Sequence, residues 1–189
     1  MNKPLGFEEV QALGDYIPIN LGGHKLVIMK VEECETSIGN QYIKVSFDTA
    51  KDDIQPNYYT NAYKNDTRDN KKWSGVTTVF PTDDEGKTSR AFKTFCTSVE
   101  KSNAGFKMVW GEQFCTALKG KLIGGVFGEE EYADSNGGVK TARKLRWFRS
   151  IEGVMDADIP AKKTLKNDNA PAYTAPQFEE ISTDDDLPF

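Results

Sequence analysis

The segment GGHKLVIMKVEEC at residues 22–34, followed by QYIKVSFD at residues 41–48, sets the architecture of the chain. The first segment is rich in aliphatic and β-branched side chains, and the second alternates apolar with polar residues. Both patterns are typical of β-strands. Ile38-Gly39-Asn40 between them supplies turn residues, so the two segments predict a β-hairpin.

The alternation in the second strand assigns its two faces. Because side chains of a strand point alternately to opposite sides, Ile43, Val45 and Phe47 are expected in the core. Tyr42 and Lys44 then face outward. An exposed tyrosine beside a lysine is a surface suited to binding.

Two further strands are predicted before the middle of the chain. A third is expected at residues 57–64 (NYYTNAYK) and a fourth at residues 73–80 (WSGVTTVF), which Pro81 ends. The polar residues 65–72 (NDTRDNKK) between them predict a loop.

The pattern changes to a helical one over residues 88–103. Phe92, Phe95, Cys96 and Val99 recur at the i, i+3, i+4 and i+7 spacing of an amphipathic helix. A shorter helical turn is expected at residues 112–118. The helix at residues 88–103 interrupts the series of predicted strands.

A second hairpin is predicted from residues 121–127 (KLIGGVF) and 139–150 (VKTARKLRWFRS), joined across the acidic loop 129–138. Simple alternation in the last strand places Leu145 with Trp147 on one face and Phe148 on the other, and leaves open which of the two rings is buried. About five strands interrupted by one main helix predict a mainly β, α+β protein with an OB-like five-stranded Greek-key barrel.

Charge and composition divide the chain into a domain and a tail. The net charge is -5, but residues 168–189 hold six acids and no lysine or arginine, which leaves 24 basic and 23 acidic residues before them. Low hydrophobicity, like charge and three prolines cannot repay the entropy of folding. We therefore predict a folded OB-like domain at residues 1–158 and a disordered acidic tail at residues 159–189.

Several classes of protein are disfavoured by the sequence. The first residues do not resemble a signal peptide, and no apolar run is long enough for a membrane helix. Cys34, Cys96 and Cys115 are widely spaced without a CxxC, which argues against a disulfide framework or a zinc site. His24 is the single histidine and is expected to be structural or solvated. We expect a cytoplasmic protein without cofactor, metal or membrane contact.

The most specific motif is the C-terminal Asp184-Asp185-Asp186-Leu187-Pro188-Phe189. It resembles the acidic tip of bacterial single-stranded-DNA-binding proteins, where partner proteins capture an acidic run and a terminal Pro-Phe. An acidic tail that serves solubility alone has no reason to end on an apolar pair. Over its body the chain is more similar to the phage-encoded single-strand binders, which implies an OB-type core, single-stranded DNA as ligand, partners in replication, recombination or repair, and the cytoplasm of a host cell. A homo-oligomer is compatible with the sequence.

Aromatic and basic residues are interleaved along the predicted strands, as a single-strand binder requires. Bases stack on aromatic rings, and phosphates need cations. The alternative is that half or more of these rings belong to the core. The candidate nucleic-acid-binding residues are Tyr42, Lys44, Tyr59, Tyr63, Lys64, Arg68, Lys71, Lys72, Trp73, Arg143, Lys144, Arg146, Trp147 and Phe148.

Two other functions are weighed against DNA binding. One is an adaptor whose barrel binds protein and whose tail mimics nucleic acid. The other is a Mg²⁺-dependent nuclease at Asp83, Asp84, Glu85 and Lys87, but those acids are consecutive on one turn rather than spread over two facing strands. We therefore expect no catalytic residues.

Overall fold

The computed structural model describes residues 1–8 and 17–165. In this part of the chain, five strands form one open antiparallel sheet in the order β3-β2-β1-β4-β5. Three α-helices and a short 3-10 turn at Gly111–Gln113 connect them, so the mainly β, α+β prediction is confirmed. The strands are β1 Gly22–Glu35, β2 Gln41–Thr49, β3 Val76–Val79, β4 Leu122–Ala133 and β5 Val139–Arg149, and the helices are α1 Tyr58–Asn65, α2 Arg90–Ser102 and α3 Phe114–Leu118.

The first hairpin and its faces agree with the sequence. β1 and β2 pair in antiparallel register, with a bulge between Ile28 and Lys30. Ile43, Val45 and Phe47 are buried as predicted. Burying such side chains is worth about 1.5–3 kcal/mol each, which makes this alternation a reliable guide to strand faces.

The predicted third strand is wrong: its residues form helix α1. Asp48, buried at the end of β2, accepts hydrogen bonds from the backbone N–H groups of Tyr59 (2.8 Å) and Thr60 (3.1 Å). The Asp48 carboxylate thus satisfies the second and third N–H groups of the helix, and the Thr49 hydroxyl accepts from the first, that of Tyr58. This long-range contact outweighs the strand preference of the tyrosines.

The predicted fourth strand and main helix are present. β3 is shorter than expected and pairs with β2 from Val76 to Val79. The Ser89 hydroxyl accepts a 3.1 Å bond from the N–H of Phe92 and caps the start of α2. The helix packs against β4 and β5 and buries Phe95 and Val99 in the core. The helical turn predicted near residues 112–118 is α3.

The second hairpin is longer than predicted, since β4 continues through the acidic residues to Ala133. A bulge beside Val126 and Phe127 lets β5 advance by two residues from Leu145 to Trp147. The predicted faces are therefore wrong in one respect: Leu145 packs on the core together with Phe148, whereas Trp147 faces away. Phe148 is the buried ring of the pair.

The strand order β4-β1-β2-β3 is that of a Greek key, with α2 in the long connection back to β1. Residues 159–165 lie along the edge of β4, past Phe127, where the pairing of β4 with β1 ends. Lys163 exchanges backbone hydrogen bonds with Glu129 (3.0 Å) and Glu131 (2.8 Å). The first residues of the predicted tail thus contact the sheet, and residues 166–189 lie outside the described part. None of the described helices is both long and apolar enough to cross a bilayer.

Candidate nucleic-acid interface

A group of aromatic and basic side chains surrounds the loop between α1 and β3. We name Tyr63, Lys64, Lys71, Lys72 and Trp73 the cationic aromatic cluster. The Trp73 Nε1 donates to the carbonyl oxygens of Phe47 (3.2 Å) and Gly75 (3.1 Å), which anchors the indole at the end of the β2–β3 ladder. Its ring lies 6.0 Å from that of Tyr63, and the Lys71 Nζ stands 4.8 Å from the Tyr63 ring centre. Tyr63 is 37% exposed.

The lysines of the cationic aromatic cluster differ from the neighbouring Arg68 in their ion pairing among the described residues. Within residues 17–165, no carboxylate lies at ion-pair distance from Lys64, Lys71 or Lys72. Arg68 differs, because its guanidinium hydrogen-bonds to Asp66 and lowers the pKa of that carboxyl to about 2. The three lysines are available to phosphates, whereas Arg68 already has a partner.

The outer face of β2 and β3 holds further predicted contact residues. Lys44 is exposed opposite Thr78. At the far end of the ladder, the half-buried Tyr42 lies 5.8 Å from the exposed ring of Phe80. From Tyr42 to Phe47 the strand advances roughly 17 Å. Sequence reasoning missed Phe80, although its place at the end of an apolar run before Pro81 was a signal.

Two predicted contact residues are inside the protein. Tyr59 is 7% exposed and packs edge-on against Phe47 at 5.4 Å. Phe148 is also 7% exposed and contacts Phe95 at 5.2 Å. Neither ring can stack on a base while the core is intact, so both are removed from the candidate surface. Their aromatic character serves packing.

The basic residues of β5 are engaged by their surroundings. Arg143 donates to the carbonyl of Ile19 (2.6 Å), and Arg146 donates to that of Glu129 (3.1 Å). Lys144 lies 3.8 Å from Glu130. Glu130 also accepts from Lys163, and this bond, together with the charge of Lys144, lowers the pKa of its carboxyl. Trp147, 47% exposed, remains the accessible ring of β5.

The acidic turn considered for Mg²⁺ is held by its own hydrogen bonds. The Asp83 Oδ1 accepts from the N–H groups of Glu85 (3.1 Å) and Lys87 (2.8 Å), and the Lys87 Nζ lies 2.6 Å from Glu85. No group of three or more His, Cys, Asp or Glu side chains in the described ranges is placed to hold a metal ion. This geometry is that of an exposed turn leading into α2.

His24 has a structural position. It is buried beside Phe127, with Nδ1 2.8 Å from Asp53 and Nε2 3.1 Å from the carbonyl of Asn20. Asp53 also accepts from the backbone N–H groups of Lys25 and Gln55. The two side chains tie β1 to the segment that follows β2.

The acidic C-terminal tip, residues 184–189, lies outside the described residues. No protein-family model and no curated protein sequence matches the chain. The function must therefore be argued from the chain's own residues.

Proposed function

We propose that the chain binds single-stranded DNA without sequence preference, as part of DNA replication, recombination or repair. The observation that carries this proposal is the cationic aromatic cluster, where Lys71 lies over Tyr63 and Trp73 is fixed beside it. A single strand offers both phosphates and unstacked bases, and this cluster has a partner for each.

Single-stranded rather than duplex DNA follows from the exposed ring. A base can stack on Tyr63 only if it is free of its own neighbours, at a gain of about 1–3 kcal/mol per base. Every base has a π-face, so such contacts do not distinguish sequences. The lysines supply the salt-dependent part of the affinity.

The fold supports the same proposal through its strand order. An OB-type barrel is a five-stranded, partly open Greek-key barrel that binds oligonucleotides on the face of its second and third strands. Here β3 and β5 form the two edges of an open sheet with Greek-key order, and joining those edges would close a barrel. The face of β2 and β3 carries Lys44, and Trp73 of the cationic aromatic cluster lies at the end of the same ladder. We propose that the domain is OB-like and binds DNA along this face.

The acidic tip adds a second part to the proposal. Asp184, Asp185, Asp186, Leu187, Pro188 and Phe189 resemble the partner-binding peptide of bacterial single-stranded-DNA-binding proteins. A short apolar end needs a small pocket, and the aspartates steer it toward a basic surface. The tip then recruits DNA-processing enzymes to the bound strand, in the cytoplasm of the cell that holds the DNA.

Fluorescence anisotropy of a labelled oligothymidine at two salt concentrations tests the proposal, with duplex of equal length as competitor. We expect binding that weakens with salt and that duplex does not displace. Absence of binding at low salt overturns the proposal and favours the adaptor. Metal-dependent loss of the oligonucleotide would instead identify a nuclease.

A further inference from the structure

Trp110 is an exposed aromatic side chain that the sequence did not single out, and its ring is fixed. It is 64% exposed, directly before the 3-10 turn that leads into α3. The indole stacks on the buried Phe114, with ring centres 5.6 Å apart and planes 13° apart. Phe92 of α2 lies 6.2 Å away. A large ring held on one side and open on the other is the kind of anchor that protein interfaces use.

Trp110 borders a groove of about 630 Å³ between the β1–β2 hairpin and the helices. This volume is in the range of sites that take a small ligand or one or two side chains. We name it the acidic aromatic groove. Its wall includes Glu32, Glu33, Tyr42, Phe92, Trp110 and Glu112.

The groove has a negative wall. Three glutamates line it, and no lysine or arginine among the described residues does. Glu32 is paired with Lys30 at 2.6 Å, whereas Glu33 and Glu112 have no ion pair within residues 17–165. Burial, and then the charge of Glu33, raises the pKa of the Cys115 thiol on the same wall. The carboxylates thus disfavour a further negative charge.

These features select the ligand's chemistry. A phosphate would meet the glutamates at close range and be repelled. A cation would be attracted by the carboxylates and could also contact the exposed Trp110 indole, since tryptophan is the best cation–π partner. Arginine fits better than lysine, because its planar guanidinium can stack on the ring and still donate to a carboxylate. The apolar faces of Tyr42 and Phe92 then favour an apolar side chain next to it.

We propose that the acidic aromatic groove is a docking site for a partner protein, which inserts a segment with an arginine flanked by apolar residues. The groove is opposite in charge to the cationic aromatic cluster, and it shares Tyr42 with the proposed DNA-binding face. It therefore gives the domain a protein contact besides that proposed for the C-terminal tip, and it stands whether or not the chain binds DNA.

The test uses two fluorescein-labelled peptides, Leu-Arg-Leu-Arg-Leu and the same peptide with citrulline for arginine, which keeps the shape and removes the charge. We expect the arginine peptide to bind on the order of tenfold more tightly by anisotropy. Trp110→Ala should abolish binding, and the Glu33→Gln/Glu112→Gln double variant should abolish the difference between the peptides. Tyr132→Ala and Glu152→Gln are the matched controls, since both change exposed side chains outside the groove and outside the candidate DNA-binding residues.

Four results would overturn the proposal. Equal affinity for the two peptides, or no binding of either at about 1 mM, excludes recognition of a cation. A concentration-dependent dimer that Trp110→Ala dissociates identifies a second copy of the chain as the occupant. Loss of oligothymidine binding in Trp110→Ala assigns the groove to DNA. The double variant keeps the test valid if Trp110→Ala does not fold, because Glu33 and Glu112 are exposed.

Discussion

Tyr63 and Trp73 are neighbouring rings with different tasks. The indole N–H of Trp73 is bonded to two backbone carbonyls, so this side chain positions the cluster. Tyr63 is more accessible and lies under the Lys71 ammonium. A base that stacks on Tyr63 therefore brings its phosphate toward a lysine, and Tyr63 is the residue on which the DNA-binding proposal depends most.

Replacing Tyr63 by alanine should weaken oligothymidine binding by about 1–3 kcal/mol, a factor of roughly 5–150. The loss should persist at high salt, because stacking does not depend on released counterions. Anisotropy titrations at two salt concentrations measure it. Tyr132→Ala, at an exposed tyrosine of β4, is the control. Equal effects of the two variants would count against the cluster.

The buried pair His24 and Asp53 predicts how stability depends on pH. Burial opposes ionisation of Asp53, but hydrogen bonds from His24, Gln55 and Lys25 outweigh it and lower the pKa of the carboxyl. Because the pKa of Asp53 is lower in the folded state, its ionised carboxylate stabilises the fold at every pH above the unfolded-state pKa, which is near 3.9. This stabilisation is lost as the pH falls from there through the folded-state pKa.

Asp53→Asn should therefore destabilise the protein by about 3 kcal/mol at neutral pH. Its difference from the parent should shrink as the pH falls below about 4, because the carboxylate then becomes protonated in the unfolded parent while it is still ionised in the folded parent. Urea unfolding at neutral pH and at successively lower pH values measures both effects. Asp156→Asn, at an exposed aspartate, is the matched control. A constant difference for Asp53→Asn would mean that the carboxylate's charge is not involved.

At the scale of elements, α1 depends on a residue outside itself. It spans eight residues, a length at which an isolated helix is unstable in water. Asp48 of β2 accepts from its second and third N–H groups, and Tyr59 packs on Phe47. The helix in turn carries Tyr63, so a strand and a helix together present the cationic aromatic cluster.

Asp48→Ala should unfold α1 before the rest of the domain, because it removes the cap of a short helix. We expect faster hydrogen exchange at residues 58–65, a stability loss of about 2–4 kcal/mol, and weaker oligothymidine binding. Asp48→Asn, which keeps one acceptor oxygen, should have an intermediate effect. Unchanged protection of residues 58–65 would show that packing alone holds the helix.

At the scale of the whole molecule, charge is divided between the domain and the acidic C-terminal residues. Residues 168–189 hold six acids and no base, while the cationic aromatic cluster holds three lysines without ion pairs in the described residues. Such a tail is expected to compete with DNA for the same cations, and the competition should weaken as salt screens it.

Deletion of residues 168–189 should therefore tighten oligothymidine binding at low salt, leave it nearly unchanged at high salt, and abolish recruitment of partner enzymes through the tip. Anisotropy at the two salt concentrations measures the change in affinity. A full-length variant with the six acids changed to their amides is the control for chain length, and it should behave as the deletion does. Weaker DNA binding after the deletion would contradict the competition.

The sequence by itself determined the two hairpins, the main helix and the core positions of β2, because apolar periodicity reflects which side of a strand or helix is buried. It also yielded the charge division and the acidic tip. The tertiary structure decided what depends on contacts distant in sequence. Hydrogen bonds from Asp48 stabilise α1 where a strand was predicted. A bulge places Leu145 on the core side of the sheet together with Phe148. The backbone carbonyl of Glu129 binds Arg146, and the side chain of Glu130 lies beside Lys144. The role proposed for Trp110 depends on its position beside Glu33 and Phe114 in the groove. Local periodicity does not indicate which distant residues come into contact.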